Sequence, residues 1–306
     1  MPQKLKLHEV GLRDGLQAEA QIVPLADKVR WARGVMAAGV DIVQLGSFVN
    51  PAKVPQMADT DALFAQLAGS GGRPAGVKLS ALVLNERGLE RGLAAGAELF
   101  CMGVSASQTH SQRNTGMTPA QAQTRILVMA RRALQEGFEV QASVQSAFGC
   151  GFEGPIPAPR VLDLVKAYLD AGVRIIALAD TAGHAYPQQV RELYGAIREL
   201  DADVTLAAHF HNTYGLGLAN CLAAIECGVG ILEAAFGGLG GCPFTKLPAG
   251  NVCTEDLVHT LQRMGLRGDV DLAALIAVAR EVGAFFGREL PGLVAKAGSI
   301  VHFSGA

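Results

Sequence analysis

Eight short apolar runs, each closing on polar residues and each followed by a stretch with helical periodicity, recur along this chain. They are Leu5 to Val10, Val40 to Leu45, Val77 to Leu84, Ala97 to Val104, Phe138 to Val144, Arg174 to Ala179, Val204 to His209 and Ile231 to Phe236. A short apolar run followed by an amphipathic return segment marks a parallel strand with its crossover helix. Eight such units close into a (β/α)8 TIM barrel, which takes roughly 250 residues. The chain has 306 residues, so the expected division is a catalytic barrel over residues 1–265 and a C-terminal helical extension over residues 266–306 packed on it. Local signals agree. Pro24 to Ala38 reads as a helix with proline in its first turn and Gly39 at its end, and Thr118 as the N-cap of a helix running to Glu136. Glycine recurs at helix-to-strand junctions, as in Ala38-Gly39-Val40, Ala95-Gly96-Ala97 and Ala171-Gly172-Val173.

Composition narrows the class. Apolar residues make up 50% of the chain and aromatic ones 6%, which suits many helices packed closely on a buried sheet. The 26 basic and 28 acidic residues leave a formal charge of -2 with no basic run, so nucleic acid is not an expected partner. No apolar stretch approaches the roughly 20 uncharged residues of a membrane-spanning helix. Met1 to Lys6 runs into a strand pattern without the charged and apolar regions of a secretory signal, and the six cysteines lack paired spacing. A reducing, cytoplasmic location is the expectation.

Reacting groups of such barrels stand at the C-terminal ends of the strands. Arg13-Asp14 follows run 1, Gln44 ends run 2, Asp180-Thr181 follows run 6, His209 and His211 end run 7, and Cys242 follows run 8. In a strand, residues two apart point to one face, so His209 and His211 can clamp one cation. The loop Gly237-Gly238-Leu239-Gly240-Gly241-Cys242-Pro243-Phe244 can bring a thiol close to whatever that cation binds. Residue type alone leaves other roles open. A histidine pair also serves as buried hydrogen-bonding groups, an isolated arginine as a surface charge, and a lone cysteine as a small apolar residue.

Several ordered motifs lift these residues above that background. Val10-Gly11-Leu12-Arg13-Asp14-Gly15-Leu16-Gln17 resembles the signature of the 3-hydroxy-3-methylglutaryl-CoA lyase family, within the metal-dependent lyase and acyltransferase barrels. Ser47-Phe48-Val49, Val54-Pro55-Gln56-Met57, His209-Phe210-His211-Asn212-Thr213-Tyr214-Gly215 and the cysteine loop resemble the same family in the same order, from about Leu7 to Leu257. The resemblance implies that Asp14, His209, His211 and Asn251 bind a divalent ion, Mg²⁺ first and Mn²⁺ second. For Asp14 and Asn251 it is the resemblance alone that makes them ligands, since loop or helix capping is their ordinary use. It further implies that Arg13 stabilises a thioester enolate, that Cys242 acts as acid or proton shuttle, that His209 doubles as a shuttle, and that the protein is a homodimer acting on an acyl-CoA. Cleavage of 3-hydroxy-3-methylglutaryl-CoA to acetoacetate and acetyl-CoA is the expected reaction.

The chain departs from the family where chemistry is concentrated. Gln44 stands where the lyases usually carry Glu, which removes a charge beside Arg13. Lys246 and Pro248 replace a small, glycine-rich approach to Asn251, and Ser143 to Cys150 matches the family's fifth strand imperfectly. These departures keep a lyase for a related 3-hydroxyacyl-CoA, a condensing acyltransferase and a catalytically weakened metal-binding barrel as alternatives.

Overall fold

The computed structural model describes residues 5–69, 71, 73–241 and 250–300. Eight parallel strands close on themselves in chain order. They are β1 (Lys6–Glu9), β2 (Ile42–Ser47), β3 (Lys78–Leu82), β4 (Leu99–Ser105), β5 (Glu139–Gln145), β6 (Ile175–Asp180), β7 (Thr205–Phe210) and β8 (Ile231–Ala234). The seam closes between β1 and β8, with Lys6 opposite Ile231 and Glu9 opposite Ala234.

Helices return the chain between strands: α1 (Leu25–Ala37), α2 (Thr60–Leu67), α3 (Glu86–Ala95), α4 (Gln108–Thr115), α5 (Pro119–Gln135), α6 (Ala158–Asp170), α7 (Pro187–Leu200) and α8 (Gly217–Glu226). After β8 come α9 (Thr254–Arg263), α10 (Leu272–Phe286) and the short α11 (Val294–Ala297). The Thr118 hydroxyl accepts from the Gln121 amide while the Gln121 side chain reaches back to the Thr118 amide, so the expected N-cap is a reciprocal capping box. Gly96 ends α3 with a φ of 85°, a left-handed position that an L side chain resists.

Branched and aromatic side chains on the outer face of the sheet form one large core with the helices, and a second, small apolar cluster that includes Ile42, Leu99, Ala177, Ala207 and Ile231 fills the barrel interior. Trp31 on α1 lies at the edge of the large core, wholly buried between Phe236 and Phe285, whose ring centroids are 6.1 and 5.5 Å away. Helix α10 therefore packs on α1. No helix among the described residues is long and apolar enough to cross a membrane.

Candidate metal centre

The turn after β1 carries the first two site residues. The amides of Arg13, Asp14 and Gly15 converge on the carbonyl of Val10 at 3.1, 2.8 and 3.4 Å, a π-type turn that sets two consecutive charged side chains over the barrel mouth. Glycine at 11 is required, because a Cβ there would lie 2.7 Å from both Oε1 of Glu9 and the Phe236 ring.

Strand β7 supplies the histidines. As their spacing requires, both imidazoles reach one point, with their Nε2 atoms 3.1 Å apart. Residues 250–253 lie beside the ends of β7 and β8: the Asn212 amide donates to Gly250, the Val252 amide to Phe210, and the Ala235 amide to Val252. That pairing sets Asn251 opposite His211. It depends on glycine at 250, where a Cβ would stand 1.6 Å from the Gly238 carbonyl oxygen.

All four expected ligands thus meet. Oδ2 of Asp14 is 3.7 Å from Nε2 of His211 and 3.8 Å from Nε2 of His209. The Asn251 amide nitrogen donates to that same Oδ2 at 2.8 Å and to the Leu239 carbonyl at 2.9 Å. Its Oδ1 is buried and has no hydrogen-bond partner among the described residues. Gly240 lies against this set, since a Cβ there would be 2.5 Å from Nδ2 of Asn251 and 3.2 Å from Oδ2 of Asp14.

The hydrogen bonds behind the histidines settle their tautomers. Nδ1 of His209 faces a carboxylate oxygen of Glu233 at 2.7 Å, and Nδ1 of His211 faces the Thr181 carbonyl at 3.1 Å. Both nitrogens must donate, which leaves two Nε2 lone pairs facing each other. Such an arrangement needs positive charge beside it, supplied by a proton or a cation. Burial works against charge on His209, but its hydrogen bond to Glu233 and the charges of Glu233 and Asp14 raise its pKa. Burial would likewise push Asp14 up, yet the Arg13 guanidinium and the two imidazoles outweigh it and hold the carboxyl well below the usual range. An anionic oxygen, two imidazole nitrogens and an amide oxygen with no partner fit a divalent cation with open positions, not a closed thiolate-rich zinc site.

Arg13 borders the centre, donating to Oδ1 of Asp14 and, through Nε, to Oε1 of Gln44. The expectation that Gln44 ends its strand needs correction. β2 extends to Ser47, and Gln44 is a buried mid-strand residue, 1% exposed, whose register with β3 shifts before Gly46. The shift, a bulge, re-aims the strand at this point. Asp180 caps the turn after β6, its two oxygens accepting the amides of His184 and Ala185. Its neighbour Thr181 contributes the carbonyl that orients His211. Cys242, Lys246 and Pro248 lie outside the described residues.

Sequence reasoning passed over the buried acids that support this site. Burial would raise the Glu233 carboxyl, but its contacts to His209 and His8 bring it well below the ordinary value. Burial pushes Glu9 up to about 7, against hydrogen bonds from the Thr254 hydroxyl and the amides of Gly11 and Phe236. Glu255, also raised by burial, to about 8, accepts the Gly237 amide. The available signal was an ionisable residue inside an otherwise apolar run, as at His8-Glu9 and Glu233.

Comparisons with known proteins identify the family. The HMGL-like family profile matches residues 4–282. The chain is 38% identical over 298 residues to an (R)-citramalyl-CoA lyase of Chloroflexus aurantiacus, covering 95% of this chain and 94% of that protein. It is 33% identical over 290 residues to hydroxymethylglutaryl-CoA lyase YngG of Bacillus subtilis, covering 95% and 96%. The structure of an HMG-CoA lyase from Acinetobacter baumannii, in complex with coenzyme A and 3-methylmalate, superposes with a TM-score of 0.91 at 38% identity, covering 99% of this chain and 98% of that one. With this match over nearly its whole length, the chain belongs to the HMGL-like family and is a carbon–carbon lyase.

Proposed function

We propose that the protein cleaves a 3-hydroxy-3-methylacyl-CoA, with 3-hydroxy-3-methylglutaryl-CoA as first substrate, in a reaction dependent on a divalent cation, Mg²⁺ before Mn²⁺. The observation that carries this reading is the convergence of Asp14, the two Nε2 lone pairs and the unpartnered Asn251 oxygen beside the Arg13 guanidinium. Asp14, His209, His211 and Asn251 would hold the cation. Bound there, it supplies Lewis acidity toward the tertiary hydroxyl and a carbonyl oxygen of the substrate.

The protein's own groups divide the remaining work. Arg13, always charged and already fixed by Asp14 and Gln44, faces the negative charge that develops on the thioester oxygen as the C2–C3 bond breaks. With Nδ1 holding its proton against Glu233 and Nε2 on the cation, His209 has no lone pair left for the hydroxyl proton, which passes to solvent base, so the ligand role displaces the shuttle role that the family motif implies for it. Loss of that proton turns the carbinol carbon into the ketone of acetoacetate, and the bond's electron pair becomes the enolate of acetyl-CoA. Cys242, assigned by the family motif, returns a proton to the enolate carbon.

A second reading concerns the acyl group. With Gln44 in place of the family's Glu, Arg13 has one carboxylate partner among the described residues, Asp14, where the family pattern offers two. A substrate whose carboxylate is attached directly to the carbinol carbon, as in citramalyl-CoA, carries charge closer to this under-neutralised guanidinium. Mass spectrometry of products from both thioesters separates the readings: acetoacetate with acetyl-CoA supports the first, pyruvate with acetyl-CoA the second. Acetyl-CoA from neither, with Mg²⁺ or Mn²⁺ present, rejects the lyase assignment for this substrate class. Under the second reading, Gln44→Glu shifts the kcat/KM ratio away from citramalyl-CoA.

A further inference from the structure

Below the cation position the barrel interior carries polar side chains where such barrels ordinarily stack branched apolar ones. His8 on β1, Ser80 on β3, Gln141 on β5 and Glu233 on β8 are all buried. Glu233 is where they meet. One oxygen accepts from Nδ1 of His209 at 2.7 Å. The other accepts from the Gln141 amide and lies 3.4 Å from Nδ1 of His8. The second ring nitrogen of His8 is 2.8 Å from the Ser80 hydroxyl.

A buried carboxylate is costly unless neighbouring groups match its charge and fill its lone pairs. Here those groups come from three other strands, and the only one that also reaches the barrel mouth is His209. The two histidines are unequal in this respect. Nδ1 of His211 donates to a neutral backbone carbonyl, whereas Nδ1 of His209 donates to an anion. A carboxylate behind an imidazole makes its far nitrogen a stronger donor and locks the ring's tautomer and direction.

We propose that Glu233, held from below by Gln141 and His8, is a positioning residue for the metal centre: it keeps the proton of His209 on Nδ1 and presents Nε2 as the stronger of the two imidazole ligands. This inference rests on the metal-dependent reading above. It makes the buried polar column inside the barrel part of the site.

Metal-stripped protein titrated with Mn²⁺, with free Mn²⁺ followed by electron paramagnetic resonance, tests it. Glu233→Gln, which keeps the side-chain shape, is expected to bind Mn²⁺ about 10- to 100-fold more weakly than the parent. A Kd within twofold of the parent overturns the proposal and leaves the metal reading standing. Parent protein that takes up no Mn²⁺ overturns the metal reading and this inference together. A second measurement needs no variant and so does not depend on Glu233→Gln folding. Side-chain ¹⁵N–¹H correlation spectra of the Mg²⁺-loaded parent are expected to show the His209 proton on Nδ1, and a proton on Nε2 instead overturns the proposal.

Discussion

Arg13 and Asp14 are adjacent in the chain yet meet different partners, because the π-type turn after β1 sets Asp14 toward His209 and His211 and Arg13 against Gln44. In the proposed reaction the guanidinium acts on charge that develops only as the bond breaks, so its loss should affect turnover more than affinity. Arg13→Gln is expected to lower kcat by about 100- to 1,000-fold with metal still bound; steady-state kinetics alongside metal analysis check this, and near-parental turnover in metal-replete protein refutes the role. Cys242→Ser is expected to retain metal and lose most activity, since a hydroxyl is a far weaker acid than a thiol. An unchanged rate in folded protein rejects the thiol as shuttle. The positions of Arg13 and Cys242 after strand runs 1 and 8 were legible from local pattern, but their roles came from the family motifs alone. Glu233 was not legible, because its partners His8, Gln141 and His209 lie on other strands.

At the scale of elements, the expected runs and the observed strands correspond throughout, with ends shifted where no side chain marks the stop. β2 runs on through Gly46 and Ser47, residues of low strand propensity, because its bulge packs Gly46 against Thr60: a Cβ at 46 would lie 2.5 Å from the Thr60 hydroxyl. β8 ends two residues before the expected Phe236, since Gly237 and Gly238 adopt φ of 63° and 69° and turn the chain. Helix contacts show the same dependence on small residues. Gly34 is where α1 meets α10, and a Cβ there would come 2.6 Å from Cγ2 of Val278. Gly34→Leu is expected to destabilise the protein by about 1–3 kcal/mol. It should also shift the emission of Trp31, the sole tryptophan, to the red as α10 lifts from α1. Denaturant unfolding and a fluorescence spectrum measure both, and unchanged values would mean that α10 does not seal this face.

For the whole molecule the decisive contact is the seam. Glu9, at the end of β1, accepts the Gly11 and Phe236 amides and the Thr254 hydroxyl, tying the first strand to the exit of the eighth and to the start of α9. Burial raises its carboxyl from 4.5 to about 7, so the folded protein holds this proton more tightly than the unfolded chain does. The stabilisation from this group is therefore complete below about pH 4.5 and is lost as pH rises through about 7. Glu9→Gln removes that dependence. The parent's unfolding free energy, taken relative to the variant's, is expected to fall by roughly 3 kcal/mol between about pH 4 and about pH 8. Denaturant titrations across that range measure the difference, and parallel pH profiles for the two proteins would rule it out.

The amino-acid sequence by itself determined the eight-unit barrel, the order of its elements and the residues Arg13, Asp14, His209 and His211 at the mouth. Periodicity, helix stops and alternation along a strand are set by neighbouring residues, so they survive without a structure. Only the tertiary structure decided that Asn251 lies opposite His211, that Gln44 is an interior partner of Arg13, and that Glu9 and Glu233 are held as buried acids. Those contacts join segments far apart in the chain, so no local pattern records them, and the closed barrel is what brings them within hydrogen-bonding distance.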